Sequence, residues 1–214
     1  MPPVPPVTKA LLLACGLVYL LQLVQGEVAM LPFMLWPAGD YPLGMHQGQM
    51  VTVGFLPWQL FTYGFMHGSE THLLFNLLAL WMFGGDVERV LGARRYLQYV
   101  LTCIVGAGLI QLVVATLAAQ GGHPYPTVGA SGGVFGVLLA FGMAFPNRQV
   151  MLLIPPIPMK ARTLVVVYGV VELVLGVTGT RTGIAHFAHL GGMLFGFLLL
   201  QYWRGRWPFE RRRP

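Results

Sequence analysis

The chain has 214 residues, of which 56% are hydrophobic and only 9% charged, with a mean hydropathy of +0.67. Soluble domains carry roughly 25% charged residues, and the net charge of +6 sits between apolar runs and in a basic tail, not on one basic face. This excludes a soluble enzyme and a nucleic-acid-binding protein, and Cys15 and Cys103, both inside apolar segments, leave no disulfide framework.

In chain order, the prolines of residues 1–7 make a short extended lead. Lys9 precedes an apolar run from Ala10 to about Val24. Leu12-Leu13-Ala14-Cys15 resembles a lipoprotein cleavage box, but the apolar stretch between Lys9 and Cys15 is shorter than the ~7–15 residues of a signal core. The run is read as an uncleaved first transmembrane helix. From Gly26 to about Gly64, Pro32, Pro37, Pro42 and Pro57 break any continuous helix, while Trp36, Tyr41, Phe55, Trp58 and Phe61 favour the headgroup level. This is expected to be a long, structured first loop lying in the outer interface.

A second helix is expected over about Phe65–Asp86 and a third over about Tyr96–Ala119, which exits into Gly121-Gly122-His123-Pro124. The fourth, from Ser131 to near Pro146, spans only ~22 Å at 1.5 Å per residue, short of a ~30 Å hydrocarbon core. Ser131 is then expected below the outer surface, where irregular backbone is tolerated only beside protein or a water-filled cavity. Pro155, Pro156 and Pro158 with Lys160 and Arg162 form the next connection, a fifth helix covers about Thr163–Val177, and a sixth covers about Ile184–Tyr202. All Lys and Arg except Arg181 then fall on one side, which predicts six spans with both termini cytoplasmic. The expected architecture is one all-α integral membrane domain over 1–214, with a basic cytoplasmic tail at 203–214.

Polar residues within spans are costly and mark candidate sites. Ser131 lies in Gly129-Ala130-Ser131-Gly132 at the head of the fourth helix. Gly132 and Gly136 form a G-x-x-x-G face, which by itself needs no more than helix packing. On the sixth helix His189 shares a stripe with Gly192 and Gly196, so two small-faced helices can bring a hydroxyl and an imidazole together, as an activated serine requires. His72 and Asn76, spaced i, i+4, share one face of the second helix and offer donors to a developing oxyanion; each also has a plain reading as an interhelical hydrogen bond. His186 and His189 with His72 raise the question of a metal, but there is no His-Glu-x-x-His string and no carboxylate or cysteine beside them in sequence. No metal and no cofactor are expected. Gly129–Gly133 also matches the G-x-S-x-G elbow of α/β-hydrolases, but that fold needs strands, and this chain shows apolar spans. Glu172, the only acid between Ser131 and His189, lies within the fifth helix and is able to orient a histidine, but it is read as a structural polar contact, and the catalytic pair as a Ser–His dyad without an acid.

The chain resembles the rhomboid intramembrane serine proteases of the minimal six-helix bacterial type. The resemblance rests on His67-Gly-Ser-Glu-Thr-His72-Leu-Leu-Phe-Asn76, Gly84-Gly85-Asp86-Val87-Glu88, Gly129-Ala-Ser-Gly132 and Ala188-His189-Leu-Gly-Gly192-Met-Leu-Phe-Gly196. It implies Ser131 as nucleophile, His189 rather than His186 as base, and His72, Asn76 and the Ser131 backbone N–H as oxyanion donors. Gly129 and Gly132 are expected to leave room for a substrate backbone, and Phe135, where some members carry tyrosine, to stack under the histidine. Many rhomboids carry Trp-Arg where this chain has Trp58-Gln59.

The implied activity is an endopeptidase of the cell membrane, with single-span membrane proteins as substrates and lipid as its surroundings. The other reading is a catalytically inactive rhomboid-like protein that binds membrane clients.

Overall fold

The computed structural model describes residues 3–122, 124–151, 156–178 and 185–205. The expected outer loop at Arg181 and the end of the basic tail, Arg206 and Arg211 to Arg213, lie outside the described residues.

The first helix, α1 (Pro6–Gln25), begins inside the segment expected to be an extended lead. Pro6 stands at the first helical position, where its fixed φ suits the helix and its missing N–H is no loss. The next two N–H groups have no intrahelical acceptor. Both go to one remote carboxylate: Val7 N donates to Glu88 Oε1 at 3.0 Å, and Thr8 N to Glu88 Oε2 at 2.7 Å. The Thr8 hydroxyl adds a third bond at 2.7 Å. An anion buried at the positive end of a helix satisfies orphan donors and the helix dipole together.

Residues 26–69 are irregular but ordered. They hold a hairpin of β1 (Tyr41–His46) and β2 (Gln49–Val53), turned at Gln47 and Gly48, both with positive φ. Gln59 is wholly buried and ties the segment together: its amide donates to the carbonyls of Pro32 and Gly54, and its oxygen accepts from Trp36 N at 3.1 Å. Met30, Leu31, Met34, Trp36, Val53 and Met66 close a small satellite core beneath it.

The helix expected from Phe65 starts later, as α2 (Glu70–Ala79), because Ser69 is extended and caps it, accepting from His72 N at 3.2 Å. It runs on through a π turn (Leu80–Gly84) and an α-helical stretch (Gly85–Leu91) to Gly92, whose φ of 77° ends it. Then come α3 (Ala93–Ala119), α4 (Ser131–Ala144), a short antiparallel pair of β3 (Gln149–Met151) and β4 (Pro158–Lys160), α5 (Ala161–Thr178) and α6 (His186–Trp203).

The helix α3 is the central post, with Tyr96, Tyr99, Cys103 and Ala107 fully buried. Against it lie α4 and α6, and all three meet through small residues. A Cβ at Gly132 would strike Ala107, one at Gly136 would strike Cys103, and one at Gly192 would strike the Gly132 carbonyl. Tyr99 OH donates to the Gly136 carbonyl at 2.7 Å across the same seam.

Among the described residues, three helices are long and apolar enough to cross a membrane: Pro6–Gln25, Ala93–Ala119 and Ala161–Thr178, with mean hydropathies of 2.0, 2.3 and 1.7. The α4 helix is apolar but shorter. Leucines and valines such as Leu13, Leu17, Val166, Val170 and Val174 face outward, as lipid requires.

At the end of the bundle remote from Ser131, Asp86 pairs with Arg89 at 3.0 Å and with Arg148. Glu88 sits two residues on. Glu88→Ala removes three hydrogen bonds and a dipole partner from α1, so it is expected to cost about 2 kcal/mol. Thermal unfolding of the detergent-purified protein reads this, and a melting temperature equal to wild type would remove Glu88 as the cap.

Candidate functional site

Ser131 owes its position to the turn before it. Gly129 has φ of 131°, a conformation that side chains rarely adopt, and its N–H donates to the Tyr63 carbonyl at 2.9 Å. Tyr63 is in turn anchored to α3, its hydroxyl donating to the Ile104 carbonyl at 2.7 Å. Just upstream, Thr127 exchanges backbone hydrogen bonds of 3.0 and 2.8 Å with Leu35 of the first loop. The serine therefore opens α4 on a turn pinned from two sides. As the first helical residue it keeps a backbone N–H with no intrahelical acceptor.

His189 comes from the first turn of α6. Its Nε2 lies 2.8 Å from Ser131 Oγ. Phe135, one turn along α4 from the serine, stacks flat on the imidazole, with ring centroids 4.2 Å apart and planes within 5°.

Behind the histidine is a group that the sequence reading assigned to structure. Glu172 of α5 has Oε2 at 2.7 Å from Nδ1 of His186 and 2.9 Å from Nδ1 of His189. The first contact is a well-formed hydrogen bond. The second is as short but lacks hydrogen-bond alignment, so Nδ1 of His189 has a charge neighbour and no aligned acceptor.

The absence of a carboxylate near these histidines, expected from sequence, is corrected here: α5 packs on α6 and carries Glu172 to both. The three donor atoms lie within 4.8 Å of one another, and three protein ligands suffice for a catalytic zinc. However, nitrogen and oxygen ligands of a tetrahedral zinc stand ~3.3 Å apart, given bonds of 2.0–2.1 Å. Separations of 2.7 and 2.9 Å describe direct contact between the side chains.

Asn76 and His72 line the same cavity as Ser131 and His189, a space of about 630 Å³ bounded by α2, α4, α5 and β3. The His72 ring lies against Gly129, where a Cβ would come within 2.6 Å of Cε1 and 2.8 Å of Nε2. Asn76 Nδ2 donates to the His72 carbonyl at 2.9 Å. A primary amide has two hydrogens, so this bond orients the side chain and leaves the second donor.

Of the expected substrate-contact residues, Gly129 faces His72 and Phe135 lines the cavity, but Gly132 does not. It is buried against Ala107 and α6, and its lack of a side chain serves helix approach.

His67 was quoted in sequence only as the head of a motif. It is buried edge-on to His72, with centroids 5.2 Å apart, and burial, then the neighbouring imidazole, pushes it down to about 4. A neutral ring therefore backs His72. The i, i+5 spacing of the two histidines around a capping serine was the available signal.

The chain matches the Rhomboid domain over residues 55–206. It belongs to the rhomboid family. Among its relatives, Rhomboid protein 1, mitochondrial, of Saccharomyces cerevisiae (strain ATCC 204508 / S288c) is 33% identical over 144 residues, which cover 63% of this chain and 38% of the yeast protein. Rhomboid protease GlpG of Yersinia pestis (strain Pestoides F) is 28% identical over 209 residues, 94% of this chain and 63% of the relative. Rhomboid protease GluP of Bacillus subtilis (strain 168) is 33% identical over 141 residues, 65% of this chain and 25% of the relative. The chain thus spans less than two thirds of the length of these relatives. Family and apolar helices together make this rhomboid a multi-pass membrane protein.

Proposed function

We propose that this rhomboid is an intramembrane serine endopeptidase that hydrolyses a peptide bond of single-span membrane proteins near the outer membrane face. The reading is carried by the 2.8 Å contact between Ser131 Oγ and His189 Nε2. It is made inside a cavity whose other walls are largely apolar side chains such as Phe75, Met82, Val134 and Leu164. The relatives named as rhomboid proteases support it.

His189 Nε2 takes the hydroxyl proton as Ser131 Oγ attacks the scissile carbonyl carbon, and later returns a proton to the leaving amine. A water then hydrolyses the acyl-enzyme with the same base. The oxyanion is received by the Ser131 N–H, by His72 and by the second amide hydrogen of Asn76, at the positive end of α4. The substrate segment reaches the serine through the cavity between α2 and α5. A merely client-binding role has no need of a hydroxyl and an imidazole in contact.

The spans are α1, α2 with its extension, α3, α4, α5 and α6, with the residues 26–69 at the outer interface. Arg89, Arg148, Lys160 and Arg162 gather at the end opposite Ser131: Asp86 joins the first two, and the Arg148 carbonyl accepts from Ala161 N at 2.9 Å. That end is cytoplasmic on the positive-inside rule, and both termini with it.

A fluorophosphonate is expected to label the wild type and neither Ser131→Ala nor His189→Ala, and proteolysis of a single-span reporter should fall about 10³-fold or more in both. Labelling of Ser131→Ala to the wild-type level would place the reactive group elsewhere.

The oxyanion assignment separates from a packing role by kinetics. Removing one such donor costs soluble serine proteases roughly 10²–10³ in kcat. With three donors here, Asn76→Ala should lose about tenfold in kcat with little change in KM. A normal kcat in a folded but less stable variant would leave Asn76 as a structural residue.

For topology, cysteines at Pro3 and Arg212 should resist an impermeant thiol reagent in intact cells. Labelling of either from outside would reverse the orientation.

A further inference from the structure

We infer that Glu172 is a positioning acid for His189, held in place by His186, so that the reacting pair works as a buried Ser131–His189–Glu172 line. This rests on the function proposed above and adds a residue to it.

Three independent features carry the inference. The first is placement. Glu172 is a carboxylate in the middle of α5, an otherwise apolar helix whose valines 166, 170 and 174 face outward. A charge there is costly and calls for partners. It is 7% exposed, and the contacts described for it are the two imidazoles of the α6 start.

The second is packing. Gly169 and Gly176 flank Glu172 at i−3 and i+4, on the face of α5 turned to α6. A Cβ at Gly169 would meet Met193, and one at Gly176 would press on Phe187 and the His186 Cβ at 3.1 to 3.4 Å. The two glycines let the helices approach at the height where Glu172 sits between them.

The third is the division of labour around the His189 ring. Phe135 stacked on its face restrains tilting out of plane and leaves rotation in plane free. A carboxylate oxygen 2.9 Å from Nδ1 opposes that rotation and favours the tautomer with hydrogen on Nδ1, leaving the lone pair of Nε2 towards Ser131. His186, donating from Nδ1 at 2.7 Å to the same Oε2, fixes the carboxylate in turn.

In the attack the Ser131 proton moves to Nε2, the bond from Oγ to the carbonyl carbon forms, and the imidazole becomes a cation. The charge created in that step faces the Glu172 carboxylate. Among the described residues, the other titratable groups around His189 are His186 on its own helix, His72 on α2 and, across Phe135, Tyr168 on α5, and Glu172 is the anion of that set.

The test is Glu172→Gln, which keeps shape and an acceptor but removes the charge. Loss of the corresponding acid from a soluble triad costs about 10⁴ in kcat. Since the His189 contact is not an aligned hydrogen bond, about 30- to 100-fold in kcat is expected, with KM changed less than about twofold. Glu172→Asp should recover part of the loss.

His186→Ala should lower kcat about tenfold by freeing the carboxylate, and His186→Asn, which restores a donor, should recover much of that. Circular-dichroism melts are run on every variant. A wild-type kcat in folded Glu172→Gln, or a defect confined to KM, overturns the inference; if Glu172→Gln does not fold, a wild-type kcat in His186→Ala does so. Loss of wild-type activity on treatment with 1,10-phenanthroline, restored by zinc, would assign the same three side chains to a metal and also overturn it. Failure of the wild type to react with fluorophosphonate or cleave a reporter would instead strike the proposed function.

Discussion

Ser131 and His189 meet because α4 and α6 touch backbone to backbone. Side chains larger than hydrogen at Gly132, Gly136 or Gly192 would hold the helices apart, and 2.8 Å between Oγ and Nε2 leaves no slack for that. In lipid there is no hydrophobic drive between helices, so close packing and internal hydrogen bonds hold them together. The Tyr99 hydroxyl on the Gly136 carbonyl supplies one of those bonds in the same seam. The geometry of the site is thus a by-product of how this bundle coheres.

The same medium explains the other buried polar residues, since each orphaned group in an apolar interior is expensive. Glu88 answers the free donors of α1. Gln59, at the position where many rhomboids have arginine, uses all of its amide on Pro32, Gly54 and Trp36, and so holds the first loop with neutral bonds in place of a charge. Glu172 bonds to His186 and lies against His189. Of the three, only Glu172 has a neighbour in contact with Ser131.

What was legible in the sequence was whatever acts through local spacing. Apolar runs and glycine stripes marked the helices, and the glycines three and seven residues after His189 carried the resemblance that implies it, not His186, as the base. What was not legible depends on remote partners. Proline suits a first helical position, but several prolines precede this helix; at Pro6 the two N–H groups that follow are accepted by Glu88, far along the chain. The hairpin of residues 41–53 was hidden by Pro42 and Gly44, which disfavour central strands but are tolerated in an exposed two-stranded ribbon. Gly132 was placed on the substrate side because a small residue beside a nucleophile reads the same whether it admits substrate or a helix. Glu172 was read as structural because it sits within the fifth helix, 14 residues before His186, and the packing of α5 on α6 is what brings it to the two histidines.

These observations divide the bundle into two unlike halves. Ser131 and His189 stand on α4 and α6, each packed along much of its length on the buried post α3, and 44% of the α3 span is interior. The cavity, with His72 and Asn76, lies toward α2 and α5, and only 22% of the α5 span is interior. The proposed reaction needs nucleophile and base placed to within a fraction of an ångström, and the more buried half holds both. Under the proposed function, a membrane-protein segment reaching the cavity meets α5, the wall with the smaller buried share. Glu172 stands between the two: it is carried by the helix with the smaller buried share and faces His189 on the other half. If the proposed function and the positioning role of Glu172 both hold, whatever holds α5 in place also holds the carboxylate against His189.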